Sequence, residues 1–267
     1  MKHQDDLAEY NQERWNAIVK AGSVYTRPYL DMTVDAAQEW ITANQTLAKA
    51  NMVDFKDKDV LCLAGSGGQQ TTIFGLLGAN VTVLDLSDAQ LKNDKVAADY
   101  HNLNTRIEQG DMRDLSRFKD NSFDLVFQPY SINFVPEAST VIADVSRLLR
   151  KNGVYNLEFG NPFWTMEESD WLEQGYPVKQ PYITGKEFLY VNNTWEVEDA
   201  NGNIQKVEGP KEFLHTYSEI INSFIQNGLM IFHFTEYPKG DNRAEPGSWD
   251  HLCSIVPPFI TIGGRLL

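Results

Sequence analysis

This 267-residue sequence predicts an α/β fold built on a doubly wound parallel sheet, and three observations predict it. Short apolar runs alternate regularly with helical segments between residues 57 and 160, a glycine-rich turn closes the first run, and an aspartate closes the second. Parallel neighbours need a crossover, and a strand, helix, strand repeat supplies one each time. The hydrophobic fraction of 42% gives enough apolar side chain for a real core, so disorder and staple-dependent miniprotein folds are excluded. The balance of 23 Lys plus Arg against 37 Asp plus Glu leaves a net charge of −14. Such a surface argues against a nucleic-acid partner, which is held by a basic face that releases counterions.

Residues 1–56 read as a helical N-terminal cover carrying Tyr10, Trp15, Tyr25, Tyr29 and Trp40 at irregular intervals. Pro28 breaks it in two, and Asp31 or Thr33 can cap a helix through DAAQEWITANQTLAKAN. Residues 57–160 form the core, with strands expected at 59–65, 80–87, 105–111, 123–128 and 154–160. Between them QQTTIFGLLG, DAQLKNDKVAADYHN and PEASTVIADVSRLLRKNG read as helices, the last opening at Pro136 and closing at Gly153. Residues 161–212 interrupt the alternation and read as a cap or lid, with a hairpin around Asn201-Gly202. Residues 213–267 return to the core: a helix at 215–228, a strand at 229–237 and a last strand within 249–264. The N-terminus lacks an apolar signal segment, and no stretch reaches the roughly 18 apolar residues of a membrane span. Cys62 and Cys253 sit in apolar surroundings as reduced core thiols, so the expected location is cytoplasmic, with no membrane partner.

The residues that point to chemistry cluster at strand ends, where open α/β sheets bind ligands. Ala64-Gly65-Ser66-Gly67-Gly68-Gln69-Gln70 turns from strand into helix, and small residues there allow close backbone approach to a ligand. Asp85 follows 20 residues after Gly65, the distance at which a carboxylate accepts both hydroxyls of a ribose. At the third strand end, Asp111 can accept an adenine amino group while the Met112 thioether packs on the ring. Each has a bland reading as well, a tight structural turn or a solvated loop aspartate. Their shared edge favours a nucleoside-bearing ligand.

VLCLAGSGGQQT, VTVLDLSDAQL, QGDMRDLSRFKDNSFDLVF and IADVSRLLRKNG together resemble the core of class I S-adenosylmethionine-dependent methyltransferases, closest to the small-molecule group of the ubiquinone/menaquinone-biosynthesis type. The resemblance spans roughly residues 57–160 and returns at HTYSEIINSFIQNGLMIFHF. It implies a Rossmann-like seven-stranded sheet whose last strand is antiparallel, S-adenosyl-L-methionine as methyl donor and S-adenosyl-L-homocysteine as product. It further implies that Ala64, Gly65, Ser66, Gly67 and Gln69 cradle the methionine end, that Asp85 and Leu86 hold the ribose side, and that Asp111 and Met112 hold adenine. Gln128 and Tyr130 match the position bordering the transferable methyl group. The family's Asp-x-Gly-x-Gly-x-Gly pattern falls on Cys62, Ala64, Ser66 and Gly68, so its acidic residue is missing. The donor's ammonium then needs another partner, for which the backbone carbonyls of Ala64 and Gly65, or Gln69, stand nearest in sequence.

Outside the sheet, Arg27 could pair with the donor's carboxylate through a bidentate fork, or be a surface arginine held by acidic neighbours. His215 opens the helix after the cap and could serve as a general base, or merely cap backbone groups. Trp15, Phe163, Trp164, Trp171, Tyr176 and Tyr182 divide between lining an acceptor pocket and forming the cap's own core, with about two of the six expected on the acceptor. No metal-ligand spacing and no Gly-x-Ser-x-Gly elbow occurs. The reading is methyl transfer to oxygen, nitrogen or carbon of a small molecule, with a homodimer left open. Two rivals stand beside it, a nicotinamide-dependent oxidoreductase and a non-catalytic sensor of S-adenosylmethionine. Gln70 counts against the oxidoreductase, because it stands where a third Gly or Ala should let helix meet strand.

Overall fold

The computed structural model describes residues 5–65, 67–188, 193–237 and 239–267. The N-terminal part holds α1 (Asp6–Lys20), α2 (Val34–Ala43) and α3 (Gln45–Lys49). The core continues as β1 (Asp59–Leu63), α4 (Gln70–Leu76), β2 (Asn80–Asp85), α5 (Asp88–Tyr100), β3 (Arg106–Gln109), β4 (Phe123–Gln128), α6 (Ala138–Leu148) and β5 (Leu149–Gly160). After it come β6 (Lys186–Glu187), β7 (Thr194–Glu198), β8 (Ile204–Glu208), β9 (Phe213–Leu214), α7 (Tyr217–Gln226), β10 (Leu229–Glu236), α8 (Trp249–Ile255) and β11 (Phe259–Leu266).

Seven strands form one sheet in the order β10-β11-β5-β4-β1-β2-β3. Strands β1 to β5 pair in parallel, and β11 is antiparallel to both neighbours, so the expected mixed Rossmann-like sheet is present. Alternation along buried strands feeds two cores. Leu61, Leu63, Tyr155, Leu157 and Phe159 meet α6 and α7 on one face. Val60, Cys62, Val81, Val83 and Phe127 meet α2 to α5 on the other.

Several boundaries differ from the sequence expectation, each for a local reason. The helix expected to reach Gly153 ends at Leu148, because Leu149 already pairs with Phe123 and Asn152 turns at φ 66°. The helix expected over 35–51 is two helices, since the Asn44 side chain accepts from Leu47 N–H and starts a new one. Of the two cap candidates Thr33 is the cap. The first N-terminal break falls at Gly22, at φ 78°, ahead of Pro28. Residues 249–255 are helical, and Pro257-Pro258 ends that helix before the last strand begins. The hairpin stands at its expected place, yet its loop is longer than the two-residue turn of the Asn-Gly signal. Gly202 N–H donates to Asp199 O and Asp199 N–H to Asn203 O, a turn closed by a left-handed glycine at φ 81°. No helix among the described residues is long and apolar enough to cross a membrane.

Candidate functional site

The carboxyl ends of the parallel strands open into one cavity of about 760 Å³. Ala64 after β1, Asp85 and Leu86 after β2, Asp111 and Met112 after β3, and Tyr130 after β4 all line it. Glu158, Gly160 and Asn161 from β5 and Phe259 from β11 extend it across the sheet. From β2 to β5 is three strand spacings, about 14 Å, so the cavity runs along the sheet edge instead of into it. Trp15 of α1, with Ser23 and Tyr25, covers the β2 end, and Trp164, Met166 and Trp249 cover the β5 end.

Asp85 is buried, and its carboxylate accepts Ser87 N–H at 2.8 Å. Burial outweighs that bond and pushes the carboxyl up to about 7. Asp111 also faces the cavity, but Arg113 holds it: Nε donates to Oδ2 at 2.9 Å, and the same guanidinium grips Asp5 at 2.8 Å. Tyr130 donates its hydroxyl to Glu212 at 3.2 Å and sits edge-on between Phe134 and Phe259. Ala64 adopts φ 51°, where the family pattern has glycine, at a backbone cost of about 1 kcal/mol.

The other expected residues play different parts. Gln128 is fully buried: Oε1 accepts from Tyr155, while Nε2 donates to Ser131 and faces Met112 Sδ at 3.4 Å. It supports Met112 from below and does not border the cavity. His215 is equally buried, with Nε2 on the carbonyls of Ile132 and Val135 at 3.1 and 3.0 Å and Nδ1 on Glu219 at 3.0 Å. Both nitrogens are committed and the ring does not reach the cavity, so the geometry gives no base there. Arg27 turns away as well, donating to Gly22 O and Glu198 O and tying the N-terminal segment to the hairpin. Gln69 reaches up to the carbonyls of Val24 and Arg27, both at 3.3 Å, so it pins that segment over the glycine turn. Gly65 and Gly67 shape the turn without lining the cavity: Gly67 N–H donates to Gly65 O at 2.6 Å. Gly67 has φ 67°, and a Cβ on it would fall 2.3 Å from Gln90 Oε1. Ser66 lies outside the described residues. Of the six aromatics singled out, Trp15 and Trp164 line the cavity. Phe163 stacks on Tyr182, and Trp171 packs with Tyr176 and His251.

Asp94 was not anticipated. It comes from α5, accepts Gly68 N–H at 2.8 Å and the Thr71 hydroxyl at 2.6 Å, and is 1% exposed. Its second oxygen has no partner among the described residues, and burial raises the carboxyl to about 8. Burial first, and the nearby Asp94 second, raise Cys62, the position where the family pattern has its acid, so a carboxylate from the neighbouring helix stands close to the missing one. The signal was readable: Asp94 falls on the stripe of Leu91, Ala97 and Ala98, where an unpaired acid does not belong. Gln90, 4% exposed, also lines the cavity, and its Oε1 lacks a partner among the described residues.

Comparison with known proteins places this geometry. Residues 61–157 match the family model described as methyltransferase domain. A relative in Bacillus subtilis (strain 168), described as an uncharacterized methyltransferase YbaJ, is 32% identical over 238 residues, covering 86% of this chain and 90% of that protein. The chain therefore belongs to the methyltransferase family. Among solved structures, an S-adenosylmethionine-dependent methyltransferase from Mesorhizobium loti superposes with a TM-score of 0.56 at 18% identity, covering 87% of this chain and 99% of that one. Another from Clostridium acetobutylicum gives a TM-score of 0.58 at 16% identity, covering 88% and 93%. The shared fold is the mixed seven-stranded sheet described above.

Proposed function

We propose that this methyltransferase moves a methyl group from S-adenosylmethionine to a small-molecule acceptor, with the donor across β1, β2 and β3 and the acceptor toward β5 and β11. One observation carries the reading: Ala64, Asp85, Leu86, Asp111, Met112 and Tyr130, drawn from four strand ends, line a single cavity. Its residues suit the donor. A buried carboxylate at Asp85 offers acceptors for paired sugar hydroxyls, Leu86 and Met112 offer apolar faces for a base, and the unsatisfied Gln90 Oε1 awaits a donor group. Bound there, the donor supplies an already activated methyl on a sulfonium.

What remains for the chain is orientation and exclusion of water. Tyr130, fixed between two rings and Glu212, borders both halves of the cavity. Positioning of this kind contributes roughly 7–11 kcal/mol to a barrier, so the commitment of His215 elsewhere does not weaken the reading. Pocket volumes run about 300–1,000 Å³, and 760 Å³ leaves room for a second small molecule beside the donor. We infer a cytoplasmic setting from the buried thiols of Cys62 and Cys253.

Calorimetric titration with S-adenosylhomocysteine tests the donor half. Binding is expected, and Asp85→Ala should weaken it by on the order of 10- to 100-fold, the loss of hydrogen bonds to a charged group. Unchanged affinity in that variant would sink the assignment.

A further inference from the structure

The cavity wall carries six carboxylates, Asp85, Asp111, Glu158, Glu167, Glu168 and Glu212, against two cations, Arg113 and Lys239. Arg113 is committed to Asp5 and Asp111 at the β3 end. Four of the carboxylates therefore face the β5 end with one ammonium among them. Acid clusters at surfaces are commonly solvated, but Glu158 is half-buried in the cavity wall. It is one of the β5 residues on the face opposite Tyr155, Leu157 and Phe159, burial raises its carboxyl, and that carboxylate accepts no hydrogen bond among the described residues. Leaving a charge in such a place is costly unless a partner arrives.

The chain itself shows what kind of partner fits. Lys239, just past β10, holds its Nζ 4.6 Å from the centre of the Phe259 ring and acts electrostatically on Glu158. Phe259 is the first residue of β11 and packs edge-on against Tyr130 at 5.1 Å, beside the position bordering the methyl group. An ammonium over an aromatic face and within electrostatic reach of a half-buried carboxylate is an arrangement suited to organic cations. Trp164 and Trp249, edge to face at 5.2 Å, add aromatic wall to the same end, and Trp249 is half exposed at its rim.

We propose that the acceptor is a small organic cation with an apolar or aromatic body, its ammonium seated between Glu158 and Phe259 in the place the Lys239 ammonium now reaches. Glu212, tied to Tyr130, extends the negative wall toward the donor. The exposed Lys239 is then the chain's own stand-in that moves aside as the acceptor enters, and its four-carbon stem on a loop beyond β10 gives it the reach to do so. The inference rests on the donor occupying the other half, and it fixes the charge and shape of the acceptor, not the atom that is methylated.

The test uses the whole chain, alone and saturated with S-adenosylhomocysteine, titrated with phenethylamine, phenethyl alcohol and phenylacetate, which share a body and differ in charge. Calorimetry should show the amine bound at least tenfold more tightly than the other two. Glu158→Gln should cut amine affinity about tenfold while leaving S-adenosylhomocysteine affinity within twofold. Lys239→Met should raise amine affinity several-fold. Equal affinity for amine and alcohol, preference for phenylacetate, or indifference of the amine to Glu158→Gln overturns the proposal. Failure of the donor reading looks different: S-adenosylhomocysteine does not bind, and the amine series measured on the chain alone still decides the acceptor question.

Discussion

Asp94 shows how much one side chain can decide. It joins the glycine turn to α5 by accepting both the Gly68 N–H and the Thr71 hydroxyl, neither of which reaches water. Asp94→Ala strands two buried donors, so urea unfolding should show a loss of about 1–3 kcal/mol for each donor left unsatisfied. Asp94→Asn keeps an accepting oxygen and should lose less than about 1 kcal/mol. Asp85 makes a second prediction, because its carboxyl titrates at about 7 in the folded chain against 3.8 as a free side chain. The raised value means the folded form holds its proton more tightly. Its contribution to stability is therefore complete below pH 3.8 and lost as pH rises through 7. Sugar hydroxyls donate best to the ionised form, so S-adenosylhomocysteine affinity should rise by about tenfold between pH 6 and pH 8. Asp94, whose own titration is coupled to that of Asp85, would shift the midpoint. A flat profile for Asp85→Asn, measured by calorimetry, assigns the dependence to Asp85.

At the scale of elements, α1 has to be held over the donor half of the cavity. Its starting cap Asp5 pairs with Arg113 at the end of β3, and Asn11 bridges to Phe134 O and Lys211 O. Trp15 wedges edge-on between Phe134 and Trp195, joining the helix to the hairpin β7-β8. The Arg113 guanidinium holds the Asp5 carboxyl down at about 2, so this clamp persists above pH 3.8 and fails as pH falls through 2. Asp5 is largely exposed while Arg113 is half-buried, and the value of the pair lies in placement more than in stability. Arg113→Leu should leave the melting temperature nearly unchanged, speed amide exchange across residues 6–20, and weaken S-adenosylhomocysteine binding several-fold. No change in exchange would show that the apolar contacts of Trp15 hold α1 unaided.

For the whole molecule, the cavity is shared property. The sheet edge supplies its floor, α1 and the segment through Tyr25 its donor-side roof, and residues 164–168, 239 and 249 its far wall. Segments distant in sequence, Arg27 and Glu198 among them, are tied together over the glycine turn. Filling the donor half should therefore protect more than the strand ends. Hydrogen exchange with S-adenosylhomocysteine bound should slow residues 8–25 and 194–198 together by about tenfold, while the hairpin loop at 200–202 stays unaffected. Protection limited to residues 64–68 and 84–86 would show that the roof does not close on the ligand.

The succession of strands and helices, the glycine turn, and the places of Asp85, Asp111 and Met112 at strand ends were legible in the sequence because each depends on local pattern: apolar runs of strand length, small residues at a turn, and a carboxylate at a fixed distance along the chain; the place of Tyr130 came from the family resemblance. Arg27, Gln69, Gln128 and His215 carried the right chemistry at plausible positions, yet packing sent each to a backbone carbonyl or a buried neighbour, since a buried polar group is claimed by whatever partner is nearest in space. Glu158, Glu212 and Lys239 came together only through tertiary structure, as did Asp94 with the glycine turn. The three wall residues lie up to 81 positions apart, and no spacing along a chain records which side chains a twisted sheet and its coverings bring to one wall.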